Sequence, residues 1–109
     1  MSDPKRPWEC ADMGQVRDEI DRIDAALVDL IAERFGYVDR AWQLKTNPGE
    51  AHVPWRIQQV IDKVKARAAE KGLPPELTEA LWRQMIGWFV QYEEEKLRRS
   101  LEGNGGKGS

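Results

Sequence analysis

The sequence has one cysteine and one histidine in 109 residues, and this scarcity removes several kinds of chemistry. Cys10 has no partner, so there is no disulfide framework, and no CxxC pair supplies metal or redox spacing. A reducing compartment, the cytoplasm, is the expected setting. His52 lacks a second ligand at metal spacing and reads as structural or solvent-facing. No stretch approaches the roughly 18 apolar residues of a membrane span, and the N-terminus MSDPKRPWEC lacks an apolar signal core. Neither export nor membrane insertion is expected. An excess of one charge is also missing. Lys and Arg number 17 against 19 Asp and Glu, a net charge of −2, which leaves no broad basic face for nucleic acid or a membrane surface. Any anion must be bound locally. No segment alternates like a strand.

What remains is helical. With 40% hydrophobic and 33% charged residues, the chain reads as one all-α domain of three helices. Residues 1–11 are polar and proline-punctuated and are expected to be mobile, as is the glycine-rich tail 102–109; the helical domain is expected over 12–101. Asp12, with Gln15 three residues on, resembles a capping box. From there helical periodicity runs without proline to the TNPGE turn at 46–50. A second helix is expected after Pro54, carrying Ile57, Val60, Ile61 and Val64 as far as Gly72. A third is expected to start after Pro74-Pro75 and run to about Ser100. The first helix, about 33 residues at 1.5 Å each, would be roughly 50 Å long. A compact monomer of this size has a radius of gyration of about 13 Å. So long a helix can bury its apolar face only against a second chain, and an intertwined homodimer is expected.

The polar residues set into apolar faces are the candidate site. Read in heptads, one column of the first helix runs Val16, Ile23, Leu30, Tyr37, Leu44 and its companion runs Ile20, Leu27, Arg34, Ala41. A guanidinium stands where leucine belongs, and burying it unpaired would cost several kcal/mol or more, so an anion is expected to meet it. Arg34 and Lys45 lie eleven residues apart, close to three turns, and project from nearly the same side. Arg17 points about a quarter turn away and would serve the partner's pocket in a two-fold dimer. Arg56, at the start of the second helix, gains nothing from the helix dipole there, which points to a ligand contact. On the third helix the stripe Trp82, Ile86, Phe89, Glu93, Leu97 is apolar except at Glu93. Buried away from cations, Glu93 would favour its neutral form; beside Lys45 it would favour the charged one. Each residue also has a plainer reading. Arg34 can pack its stem and leave its head at the edge, Lys45 can complement the helix C-terminus, and Glu93 can pair in solvent with Lys96 or Arg98. Trp8, Trp42, Trp55, Trp82 and Trp88 read as core or rim rather than a stacking platform, and EEEK at 93–96 reads as an exposed face.

With these residues in place, the chain resembles the all-α class of chorismate mutases, including their relatives the isochorismate pyruvate-lyases. The resemblance extends from about Met13 to Leu97. VRDEIDRIDAALVDLIAERFGYVDRAWQLK (16–45) looks like the family's first helix: an early Arg, the pattern I-D-x-I-D, then Arg and Lys eleven residues apart. Arg56 following Val53-Pro54-Trp55 is similar to the family's loop and next arginine. LWRQMIGWFVQYEEE, with Gln84, Ile86 and Trp88, looks like its final helix. The resemblance implies that Arg17 of one subunit and Arg34 of the other grip the substrate's carboxylates, giving two composite sites per dimer. Lys45 would donate to the ether oxygen of the breaking bond and to a carboxylate, and Arg56 would hold the ring side. Glu93 stands where many members have glutamine facing that oxygen. Some fungal members have glutamate there, which must be protonated to donate, so activity would favour acidic pH. Phe89 would line the pocket. Bacterial mutases commonly follow the second-helix arginine with glutamate and place aspartate three residues before it; Ile57 and Val53 stand here, closer to the lyase branch.

The implied reaction, chorismate to prephenate, is a pericyclic rearrangement that needs no nucleophile, metal or cofactor. It requires a folded dianion held by bidentate arginines, with donors aimed at the oxygen where charge develops. The lyase reaction, isochorismate to salicylate and pyruvate, could use the same grip on a regioisomer. A non-catalytic helical dimerisation module, with Arg34 and Glu93 fixing register in a seam, is the reading of a different class.

Overall fold

A computed structural model describes residues 3–107, with side chains described as far as Gly103. The architecture is all-α: α1 (Met13–Leu44), α2 (Pro54–Glu70) and α3 (Pro75–Lys107), with 3₁₀ turns at Pro7–Glu9 and Pro48–Glu50 and no strand among the described residues. No helix is long and apolar enough to cross a membrane among the described residues. The chain divides into two compact units at Tyr37/Val38, and α1 runs through that division.

The first unit is the N-terminal segment and the larger part of α1. Asp12 Oδ1 accepts from the Gln15 amide at 2.9 Å, and Gln15 Oε1 accepts from the Ala11 amide at 2.7 Å. The expected capping box is therefore present, with its return bond one residue earlier than usual. The segment before it is tied down at several points. The Lys5 amide donates to Glu19 Oε2 at 3.1 Å and the Arg6 amide to Glu9 Oε1 at 3.0 Å. Residues 1–2 of the expected mobile segment lie outside the described residues. No residue of α1 is buried. The two apolar columns are open in a single chain, with Ile20 50% and Leu30 61% exposed.

The second unit is built on the α2/α3 hairpin. α2 starts with Pro54 at its first position, where a missing N–H costs nothing. Ile57, Val60, Ile61, Val64 and Ala68 recur at three and four residues, and Ile61 and Ala68 are fully buried or nearly so. Gly72 ends the helix at φ +74. Its amide donates to Ala69 O at 3.3 Å and that of Leu73 to Ala68 O at 2.9 Å, the paired bonds of a Schellman motif, which needs a left-handed residue. Pro75 then opens α3. Across the hairpin, Lys65 reaches Glu79 at 3.0 Å, and Glu79 also pairs with Arg83 at 2.7 Å. Ile86, Phe89, Glu93 and Leu97 are buried and Trp82 is half-buried, so the expected stripe is the packed face of α3.

One expectation differs. α3 continues past Ser100 to Lys107, through Gly103 and the glycine-rich stretch that ordinarily favours a helix end. Residues 108–109 of the expected tail, and the side chains from 104 on, lie outside the described residues. Of the tryptophans read as core or rim, Trp42 and Trp82 are half-buried at the rim, and Trp8, Trp55 and Trp88 are exposed.

Candidate active site

The polar centre of the second unit lies where the C-terminal end of α1 meets α3. The extended backbone of Asn47 before Pro48 (φ −150, ψ 157) follows from the steric restriction proline places on its predecessor and breaks the helical path. Lys45 is the first residue beyond α1, its amide still bonded to Trp42 O at 3.2 Å. Glu50 closes the following turn, accepting from Thr46 Oγ1 at 2.5 Å and Asn47 Nδ2 at 2.9 Å. Lys45 Nζ thereby reaches Glu93 Oε2 in a direct ion pair. The Lys45 side chain is 24% exposed and that of Glu93 9%. Phe89 and Leu97, one turn to either side of Glu93, are buried. The pair therefore resolves the two readings of Glu93: it belongs to the core face, charge-matched by Lys45, and is not a surface partner of Lys96 or Arg98. The EEEK run is accordingly split, with Glu93 buried, Glu94 and Lys96 half-buried and Glu95 exposed.

A second cross-link lies beside the first and has no counterpart in the sequence reading. Asp39 Oδ1 accepts from Tyr92 Oη at 2.6 Å and from Trp42 Nε1 at 2.7 Å. The Tyr92 bond is the main cause holding the Asp39 carboxyl below the ordinary aspartate range, with the Trp42 bond next. The same hydrogen bond pushes the Tyr92 phenol above its ordinary value, since ionising it would forfeit the donor and set two anions together. The Tyr92 ring is stacked on Trp88, centroids 5.7 Å apart at 12°. The only trace of this cluster in the sequence is its spacing, with Asp39 six residues before Lys45 and Tyr92 immediately before Glu93.

The other expected residues fall in separate places. Val53 is the extended N-cap of α2, and its carbonyl accepts from the amides of Arg56 and Ile57, both at 3.0 Å. Arg56 is exposed, its Nη1 donating to Gln59 Oε1 at 2.7 Å. Ile57 lines a groove of about 430 Å³ with His52, Ile86, Val90 and Glu94 among its walls, and His52 is exposed, as expected. In the first unit Arg17 is exposed and Arg34 is half-buried, with its Nη1 out of solvent. No group of His, Cys, Asp and Glu able to hold a metal ion occurs among the described residues.

What the second unit offers chemically is one cation and one carboxyl group held together at a partly water-excluded point. The Lys45 ammonium has three donors, of which one goes to Glu93.

The chain is similar to known proteins. The family model described as chorismate mutase type II matches residues 16–94. The chain is 30% identical over 99 residues to an isochorismate pyruvate lyase of Pseudomonas aeruginosa, covering 91% of this chain and 97% of that protein. It is 31% identical over 92 residues to a T-protein of Enterobacter agglomerans, covering 84% of this chain but 25% of the other.

Proposed function

The chain belongs to the chorismate mutase type II family, and from that premise we propose that it rearranges chorismate to prephenate in a cationic pocket shared between two copies of itself. In that reaction the ether C–O bond breaks as a C–C bond forms, with no net proton transfer, so the protein's task is to fold the dianion and stabilise charge on the ether oxygen. The observation that carries the reading is the Lys45–Glu93 pair on the buried face of α3. Lys45 donates to the ether oxygen and a carboxylate, and Glu93 donates to that oxygen when protonated. Arg34 holds one carboxylate, Arg17 of the other copy the second, and Arg56 the ring side, with Val53, Ile57 and Phe89 as apolar walls.

The shared pocket is supported by α1, which buries none of its residues in a single chain while presenting Ile20, Ile23, Leu27, Leu30 and Ile31. At ~25 cal/mol per Å², apolar columns of this length are a strong drive for association. Mixing inactive variants tests sharing directly. Arg17→Ala and Arg34→Ala homodimers are each expected to lose turnover. A heterodimer of the two keeps one of its two sites intact, so a random mixture recovers about a quarter of wild-type activity. A mixture no more active than its components would contradict the shared site.

A second reading has its own support. The Pseudomonas aeruginosa isochorismate pyruvate lyase matches over nearly its full length, and Val53 and Ile57 put apolar groups at the start of α2. Under that reading the same grip holds isochorismate and releases salicylate and pyruvate. Comparing turnover of the two substrates separates the readings.

A further inference from the structure

Two cross-links join the C-terminal end of α1 to α3, and only one involves groups assigned to substrate. We propose that Asp39, clamped by Tyr92 and Trp42, is a positioning residue that fixes Lys45 against Glu93; this rests on the role given to Lys45 above. Asp39 accepts two hydrogen bonds on a single oxygen, 2.6 Å from Tyr92 Oη and 2.7 Å from Trp42 Nε1. The Trp42 bond is local, three residues along the same helix, whereas the Tyr92 bond spans 53 residues and ties that helix to α3. Tyr92 is itself immobilised. Its ring stacks on Trp88, and Lys96 Nζ lies 5.6 Å from its centroid.

The register of the two links explains the effect. On α3 the two residues bonded across are neighbours, Tyr92 as donor and Glu93 as acceptor; their partners Asp39 and Lys45 are six residues apart, with Trp42 midway. Trp42 is bonded at both ends, its indole to Asp39 and its carbonyl to the Lys45 amide at 3.2 Å. A continuous chain of contacts therefore runs from Tyr92 through Asp39 and Trp42 to the Lys45 backbone. Lysine is a flexible side chain that loses rotamer freedom when it is held in one place. Anchoring its backbone restricts where its ammonium can reach, and donors that need no reorganisation are the ones that accelerate a rearrangement. Charge-assisted bonds to a carboxylate are suited to this, being shorter and stronger than neutral ones.

Tyr92→Phe keeps the stacked ring and deletes only the hydroxyl. On whichever substrate the wild type turns over, kcat is expected to fall about tenfold with KM within about twofold, the signature of a misplaced donor. Asp39→Ala should match it, and Asp39→Asn, which keeps an acceptor oxygen, should recover part of the loss. The decisive comparison repeats Tyr92→Phe in a Lys45→Ala background, where no further loss of kcat is expected. An equal proportional loss in both backgrounds would show a structural role only and overturn the proposal, as would an undiminished kcat in Tyr92→Phe itself. If the wild type turns over neither substrate, the functional reading fails by itself, and the placement is read by ¹⁵N NMR of the Lys45 ammonium. Loss of its slowly exchanging, hydrogen-bonded signal in Tyr92→Phe supports positioning, and an unchanged signal overturns it.

Discussion

Replacing Lys45 with alanine perturbs both stability and chemistry, and the two effects can be separated. The substitution leaves the Glu93 carboxylate, 9% exposed in its side chain, between Phe89 and Leu97 without its cation. Breaking a fully buried ion pair by removing one partner costs about 3–5 kcal/mol. The Lys45 side chain is 24% exposed, so water can reach the orphaned group, and a smaller loss of about 1–3 kcal/mol is expected. Turnover should fall about 100- to 1000-fold, the range for removing one preorganised donor. Adding Glu93→Gln removes the orphaned charge. In that double variant most of the lost stability should return, to within about 1 kcal/mol of wild type, while turnover stays low. Urea unfolding at one fixed protein concentration measures the first quantity, and initial rates at saturating substrate measure the second. A Lys45→Ala protein within about threefold of wild-type turnover would refute the placement of Lys45 at the reacting bond. Equal stability of all three proteins would refute the argument that Glu93 depends on its cation.

Glu93→Gln alone should keep turnover within about tenfold of wild type, because an amide still offers a donor at that position; a loss as large as that of Lys45→Ala would show that the carboxyl group itself is required. Ile61→Ala, at a large and fully buried side chain, should cost about 2–5 kcal/mol in chemical unfolding, and a loss under about 1 kcal/mol would mean that the α2/α3 contact is not the core of the second unit. Because Asp39 is held below the ordinary aspartate range, its ionised form favours the folded state. That contribution is complete above about pH 4 and is lost as pH falls through the lower native value. The stability difference between wild type and Asp39→Asn should therefore shrink on acidification, and a constant gap from about pH 6 down to pH 2.5 would count against the clamp.

The secondary structure was legible because its signals are local. Pro54 and Pro75 open helices, Gly72 closes one, Asp12 and Gln15 cap another, and the spacing of Ile86, Phe89, Glu93 and Leu97 marks one face. Glu93 stood out for the same reason, as a carboxyl group interrupting that face. Its partner was less certain, since Lys45, Lys96 and Arg98 all offered a cation and only the turn at Thr46–Glu50 selects Lys45. The Asp39–Tyr92 bond was invisible, because a contact across 53 residues between two polar residues leaves no periodic trace. The end of α3 was misplaced because the glycine-rich stretch from Gly103 reads as a stop and the helix runs through it. The columns of α1 read as a seam, and a single chain leaves them open; the second copy that would cover them belongs to the proposal that mixing the Arg17 and Arg34 variants tests.

The central claim is tested most directly by giving the purified protein chorismate and isochorismate in turn and identifying the products. The account predicts conversion of chorismate to prephenate. Salicylate formed from isochorismate, with chorismate untouched, would move the chain to the lyase reading, and turnover of neither substrate would contradict the account.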